Sequence, residues 1–257
     1  MTPPEGSESA QAPECWGFAW SSAQPWLSAA LSTGETVHAW AGRDASCREL
    51  AGRGQVFSID APAAGPEGRE RWVVRHYQRG GAMGPILGDR YLSLGRYRPL
   101  CETVASLEAR ERGIPTPAVV AGIVYPAGIF YRADLVTEEV PGAVDLSQVL
   151  FGAASTEIDP EAALIATGGI VRSLERNGLF HPDLNAKNIV LTSTNEGVDA
   201  YLVDLDRCCA RPRGVPAPAF PMRRRLERSL RKFQASTGRT LPQSAWTALH
   251  SRYSEDG

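Results

Sequence analysis

Short β-branched and aromatic runs fill the first half of the chain, and helical spacing takes over in the second. LAGRGQVFSI (50–59) predicts a strand interrupted by Gly52 and Gly54, and RWVVRHY (71–77) predicts the next one. The DAPAAGPEGRE stretch between them has the composition of a hairpin turn. Leu100, Val104 and Leu107 recur as a helical stripe in residues 99–112, with Gly113 as the stop. Residues 118–125 and 133–140 read as strands. Asp159 followed by Pro160 predicts an N-cap with Pro at the first helical position. That helix is rich in Ala, Ile and Leu and runs to about Asn177–Gly178. A short strand (189–191), a turn (194–197), a second strand (201–203) and an Arg-rich helical end complete the chain.

Strands with one helix, followed by mostly helix, predict an α+β protein with two unlike halves. The pattern places a β-rich unit at 25–138 and a mostly helical unit at 139–257, with the junction in TEEVPG (137–142). Residues 1–24, with an acidic, Pro- and Ser-rich start, read as a flexible tail.

Composition narrows the function classes. The formal net charge is -2, so bulk charge does not make the molecule a polyanion binder. The five cysteines have irregular spacing and no Cys-x-x-Cys, which argues against a disulfide framework or zinc site and suits a reducing compartment. The start of the chain has no basic segment leading into an apolar one, and no run is long enough to cross a bilayer, so the expected location is cytoplasmic. Lys187 and Lys232 are the only lysines, so a Walker A loop, which needs Gly-Lys-Ser/Thr, is excluded.

The chemistry concentrates in LFHPDLNAKNIVL (179–191) and YLVDLD (201–206). Phosphoryl transfer from a nucleoside triphosphate needs a carboxylate beside the attacking hydroxyl and oxygen ligands for Mg²⁺. Asp183 is the candidate carboxylate, and Asn188 and Asp204 are the candidate metal ligands. Two short antiparallel strands would return Asp204 to Asn188, and His181 would brace the loop. The spacing H-x-D-x-x-x-x-N matches a kinase catalytic loop. Upstream, Gly52 and Gly54 suit a backbone approach to phosphates, or simply a hairpin. A kinase also needs a strand cation paired with a helix carboxylate. Arg75 is the only basic residue in WVVR, and Glu102, early in the following helix, is its natural partner. Arginine brings a planar fork where lysine would bring a point charge. Other small-molecule or protein phosphotransferases (heptose, aminoglycoside-type or Ser/Thr/Tyr kinases) share this loop, and a non-catalytic kinase-like binding domain is a further alternative.

VVRHYQRGG, GDRYL, FYRADLVTE, FHPDLNAKNIVL and YLVDLDRC together resemble the bacterial lipopolysaccharide-core kinases that act on 3-deoxy-D-manno-octulosonic acid (Kdo). The resemblance spans roughly residues 48–235. It implies a protein-kinase-like two-lobed fold, with a small β-rich N-lobe and a mostly helical C-lobe. It also implies ATP and Mg²⁺, and the 4-hydroxyl of Kdo on Kdo–lipid A as acceptor. The location implied is peripheral, on the cytoplasmic face of the inner membrane. Asp183 falls on the family's catalytic Asp, and Asn188 and Asp204 on its metal ligands. Asn185 stands where protein kinases usually carry Lys, which favours a glycolipid or small-molecule acceptor. Lys187, in the same loop, is a candidate for charge compensation on the transferred phosphate.

PMRRRLERSLRKF (221–233) reads as a basic helix with Leu226, Leu230 and Phe233 on one face. It is either a membrane-surface helix facing anionic headgroups or a solvated helix packed by its apolar stripe. Nucleic acid is not expected as a partner, since no recognition motif is present. Arg79, Arg90, Arg96 and Arg98 form a second cationic cluster that would suit a sugar-acid carboxylate, or simply solvent.

Overall fold

The apolar runs of the first half pair into one antiparallel sheet. A computed structural model describes residues 15–50, 55–78, 88–152, 157–251 and 253. In chain order the N-terminal half contains β1 (Trp16–Ala19), α1 (Gln24–Leu31), α2 (Val37–Ala41), β2 (Arg48–Leu50), β3 (Val56–Asp60), β4 (Arg71–His76), β5 (Tyr91–Leu92), α3 (Arg98–Glu111), β6 (Val119–Ala127) and β7 (Phe130–Glu138). The strand order is β1-β6-β7-β4-β3-β2, with β5 added beside β7.

Period-two alternation divides the side chains of β4 between the two faces. Trp72 and Val74 are fully buried in the layer covered by α1 and α2, where Trp26 meets Trp72 edge-on at 5.1 Å. Arg75 therefore points the other way, toward α3 and the cleft. β1 pairs in register with Ala121–Val124, and Ala23 is fully buried. The segment from Trp16 onward is thus built into the sheet and its apolar layer, in place of the tail expected as far as residue 24. Residues 1–14 lie outside the described residues.

α3 forms where the spacing placed it, but with the opposite face inward. Its buried residues are Pro99, Glu102, Ala105, Ser106 and Ala109, while Val104 and Leu107 are exposed. Small side chains let the helix lie close to β6 and β7, and the buried Glu102 answers a cation on the sheet. The helix ends in a Schellman motif: Gly113, at φ 72°, donates to Arg110 O and Ile114 donates to Ala109 O, both at 2.9 Å.

The second half contains β8 (Val144–Asp145), α4 (Leu146–Phe151), α5 (Pro160–Arg176), β9 (Leu179–Phe180), β10 (Ile189–Thr194), β11 (Gly197–Leu202), β12 (Cys209–Ala210), α6 (Ala219–Thr237) and α7 (Gln243–Ser251). Asp159 caps α5 by accepting from Ala162 N at 2.8 Å, with Pro160 at the first position. α5 lies at the centre of the lower core, where Leu164, Val171 and Leu174 meet Met222, Leu226, Leu230 and Leu249 from α6 and α7. The halves are fastened behind the cleft. Thr116 Oγ1 donates to Leu202 O at 2.8 Å, and Arg112 donates to Asn177 O at 2.6 Å and Arg211 O at 2.8 Å.

Candidate active site

The loop 181–188 is held by its own amides. Asn185 Nδ2 donates to Asp183 O at 2.8 Å, and Asn188 Nδ2 donates to the same carbonyl at 3.2 Å. Asn185 Oδ1 accepts from Lys187 N at 3.0 Å. The residue that replaces the usual loop lysine is therefore spent on loop geometry and is buried. His181 is fully buried, with the Val203 backbone as the polar group beside its ring. Burial pushes its pKa down, outweighing the pull of Asp204 and of the Val203 backbone.

The β10–β11 hairpin brings the two acidic stretches together. Val203 N donates to Asn188 O at 3.0 Å, which sets Asp204 directly after the strand position opposite Asn188. Asp204 has φ 65°, the one positive φ outside glycine among the described residues. Asp is among the residues that tolerate this region, and the turn swings its carboxylate into the cleft.

Arg75 closes the arrangement from above. Its Nη1 donates to Asp204 Oδ1 at 3.1 Å and its Nη2 to Glu102 Oε2 at 2.6 Å. Tyr77 also donates to Glu102 Oε2, and its ring lies 4.8 Å from the Arg75 guanidinium. Burial pushes the Glu102 carboxyl up against the pull of Arg75. Burial would raise Asp204 as well, but there Arg75 and then Arg98 prevail and hold its carboxyl below the ordinary range. The expected Arg75–Glu102 pair is thus a three-membered bridge joining sheet, helix and loop.

A cavity of about 370 Å³ lies over this bridge. Its walls are largely aliphatic, from Val56, Val73, Leu135, Val144 and Val190, while Arg75, Glu102, Lys187, Asn188 and Asp204 line its polar end. Such a volume, apolar with a few convergent polar groups, is that of a small-ligand site. Leu50 and Val56 line it on either side of Gly52 and Gly54, which themselves lie outside the described residues.

One participant was not legible as such in the sequence. Arg225, on α6, donates from Nε to Asp183 Oδ1 at 3.1 Å and also pairs through Nη2. Asp183 Oδ2 has no hydrogen bond among the described residues. The available signal was helical phase: Met222, Leu226 and Leu230 are buried, and Ser229, one turn on from Arg225, receives Ala186 N at 3.2 Å. Arg98 and Asp206, both singled out in the sequence, meet each other. Arg98 pairs with Asp206 and donates to Tyr91 Oη at 2.9 Å, so it is not free for an acceptor carboxylate. Arg90 and Arg96 of the same expected cluster are exposed, and Arg79 lies outside the described residues.

A β-rich lobe fastened over a helical lobe, with a cleft that gathers Arg75, Lys187, Glu102, Asn188 and Asp204, is the architecture of a protein-kinase-like phosphotransferase. The family model described as "Lipopolysaccharide kinase (Kdo/WaaP) family" matches residues 37–253. The chain belongs to this family. It is 32% identical over 188 residues to the 3-deoxy-D-manno-octulosonic acid kinase of Haemophilus influenzae, covering 70% of this chain and 74% of that one. It is 33% identical over 209 residues to the protein of that name in Xanthomonas oryzae pv. oryzae, covering 79% and 76%. The Stenotrophomonas maltophilia protein of the same name is 34% identical over 187 residues, covering 71% and 68%. A solved structure titled "WaaP in complex with acyl carrier protein" covers 87% of this chain at 18% identity, with a TM-score of 0.47.

Proposed function

We propose that the protein transfers the γ-phosphoryl group of ATP to a Kdo hydroxyl of Kdo–lipid A, the 4-hydroxyl by family resemblance, in lipopolysaccharide core biosynthesis. The observation that carries this reading is the Arg75 bridge to Glu102 and Asp204 at the polar end of an apolar cavity, with Asp183 beyond it on the loop. The base and sugar of the nucleotide occupy the aliphatic part. Arg75, held in place by Glu102, and Lys187 meet the phosphates. Gly52 and Gly54 lie outside the described residues and stay the sequence's candidates for a backbone approach to them.

Asp183 accepts the hydroxyl proton on its free Oδ2 while Arg225 holds Oδ1. The hydroxyl oxygen then bonds to the γ-phosphorus, the bond to the bridging oxygen breaks, and ADP leaves. His181 keeps the loop seated from below. Asn185 is occupied within the loop, so Arg225 is the cation nearest the reacting carboxylate.

The donor set at Asn188 and Asp204 fits Mg²⁺. The Asn188 amide donates through Nδ2, which leaves its oxygen as a donor for the cavity, and Asp204 adds a carboxylate oxygen. Two hard oxygen donors with substrate phosphates and water completing the shell is how Mg²⁺ is usually held. When bound, it supplies neutralisation of phosphate charge.

On α6, Arg223 is tied to Glu175 and Arg225 to Asp183, so Arg224, Arg228 and Lys232 remain exposed for anionic headgroups. A peripheral position at the cytoplasmic side of the inner membrane is part of this reading, and an exposed basic face is compatible with it. No described helix is long and apolar enough to cross a membrane. The test is incubation with γ-labelled ATP and a panel of acceptors: Kdo–lipid A, a heptose-containing core, an aminoglycoside and a protein. Label is expected on Kdo–lipid A. Label on another acceptor alone would overturn the reading.

A further inference from the structure

The N-terminal half carries an exposed apolar point that the catalytic reading does not use. β5 pairs with the start of β7 beside the β6–β7 turn, and Ser93 N donates to Ile129 O at 2.9 Å. Tyr91 opposite Tyr131 faces the core, so Leu92 opposite Phe130 faces outward. Leu94 is 80% exposed, Ile129 70% and Leu92 44%. Three exposed aliphatic side chains thus stand on two adjoining turns.

The surroundings are cationic. By register, Arg90 and Arg132 lie one step further along the same outward face as Leu92 and Phe130. Arg96 follows Leu94 by two residues. Arg90 and Arg96 form no ion pair among the described residues, and Arg132 lies 3.9 Å from Asp89, which His76 also holds. This point is also linked to the site. Tyr91, next to Leu92, receives Arg98, and Arg98 pairs with Asp206, two residues past Asp204.

We propose that Leu92, Leu94 and Ile129 insert into the interface of an anionic bilayer while Arg90, Arg96 and Arg132 meet its headgroups, making this turn pair a membrane-docking point. Exposed aliphatic residues on adjoining turns, flanked by Arg90 and Arg96, which form no ion pair among the described residues, and by Arg132, complement a lipid surface, whose acyl boundary accepts protruding apolar groups and whose phosphates accept guanidinium. The proposal concerns where the protein meets the membrane and holds whichever hydroxyl the site phosphorylates.

The experiment is vesicle flotation of the full chain with phosphatidylethanolamine vesicles, with and without phosphatidylglycerol. The wild type is expected to partition onto the phosphatidylglycerol vesicles. Leu94→Asp with Ile129→Asp should weaken partitioning by about tenfold per residue. Arg90→Gln with Arg96→Gln should weaken it about fivefold per residue and reduce the dependence on phosphatidylglycerol. Transfer to a soluble short-chain acceptor should be unchanged in both variants, which also reports that they fold. The proposal is overturned if the wild type does not bind, or if the Asp variant binds as tightly as the wild type. In the second case, loss of binding in an Arg224→Gln, Arg228→Gln, Lys232→Gln variant would move the contact to α6. A wild-type dimer that the Asp variant breaks, with vesicle binding unchanged, would instead make the point a self-contact.

Discussion

Two arginine–carboxylate contacts frame the cleft, and they differ in what surrounds them. Arg75 sits between Glu102 and Asp204 under a tyrosine ring, on a sheet strand, with Glu102 only 6% exposed. Arg225 reaches Asp183 from α6, and its side chain is 42% exposed. In the first contact the charges are desolvated, so each depends on the others, and removing one leaves the rest uncompensated. In the second, water screens the pair, so it contributes little to stability and is free to matter for chemistry. The upper contact ties sheet, helix and loop together, and under the proposed function the lower one would serve the reacting hydroxyl.

The largest separation between the two should come from Asp183→Asn. Phosphoryl transfer is expected to fall about 10³- to 10⁴-fold while nucleotide binding and the melting temperature stay near wild type. Steady-state kinetics with nucleotide titration checks this. Arg75→Met should do the reverse in kind: about 3–5 kcal/mol of stability lost in denaturant unfolding, because Glu102 remains buried without its cation. Arg75→Met with Glu102→Met should recover much of that loss but not the activity. If the double variant is no more stable than the single, the desolvated-bridge account of the upper contact is wrong.

Arg225→Gln is expected to lower kcat about 10- to 100-fold with little change in KM for ATP and less than about 1 kcal/mol change in stability. Equal loss in Arg225→Lys would point to the fork and not the charge as the useful feature. The smallest effect concerns His76 at the edge of the upper region. Its ring lies between Asp134 and Asp89, beside the His38 ring, with Arg132 near Asp89. Burial would lower its pKa, but the two carboxylates prevail and raise it above the ordinary 6.5. A raised folded value means the stabilisation is complete below the unfolded value and is lost as pH rises through the folded one. Unfolding free energy should therefore decline with rising pH across that interval, and His76→Gln should remove this component of the slope.

The same contrast explains what the sequence made legible. Asp183, Asn188 and Asp204 lie in one hairpin and its approach, so their spacing alone brings them together. Arg75–Glu102 was readable because a strand cation followed by a helix acid has few alternative partners when lysine is missing. Arg225 was not readable as a site residue, since 42 residues separate it from Asp183 and its neighbours are also arginines. The orientation of α3 was misread because its Leu and Val spacing suggested the buried face, whereas close packing on the sheet selected Ala105, Ser106 and Ala109. β1 was missed because a four-residue edge strand following an acidic, Pro-rich segment has almost no periodicity of its own.

The central claim is that this cleft phosphorylates Kdo through Asp183. Its most direct test is tandem mass spectrometry of Kdo–lipid A after incubation with ATP and either the wild type or Asp183→Asn. The account predicts a gain of one phosphate on the Kdo residue with the wild type and essentially none with the variant. Phosphate on a lipid A sugar, or equal phosphorylation by both proteins, would contradict it.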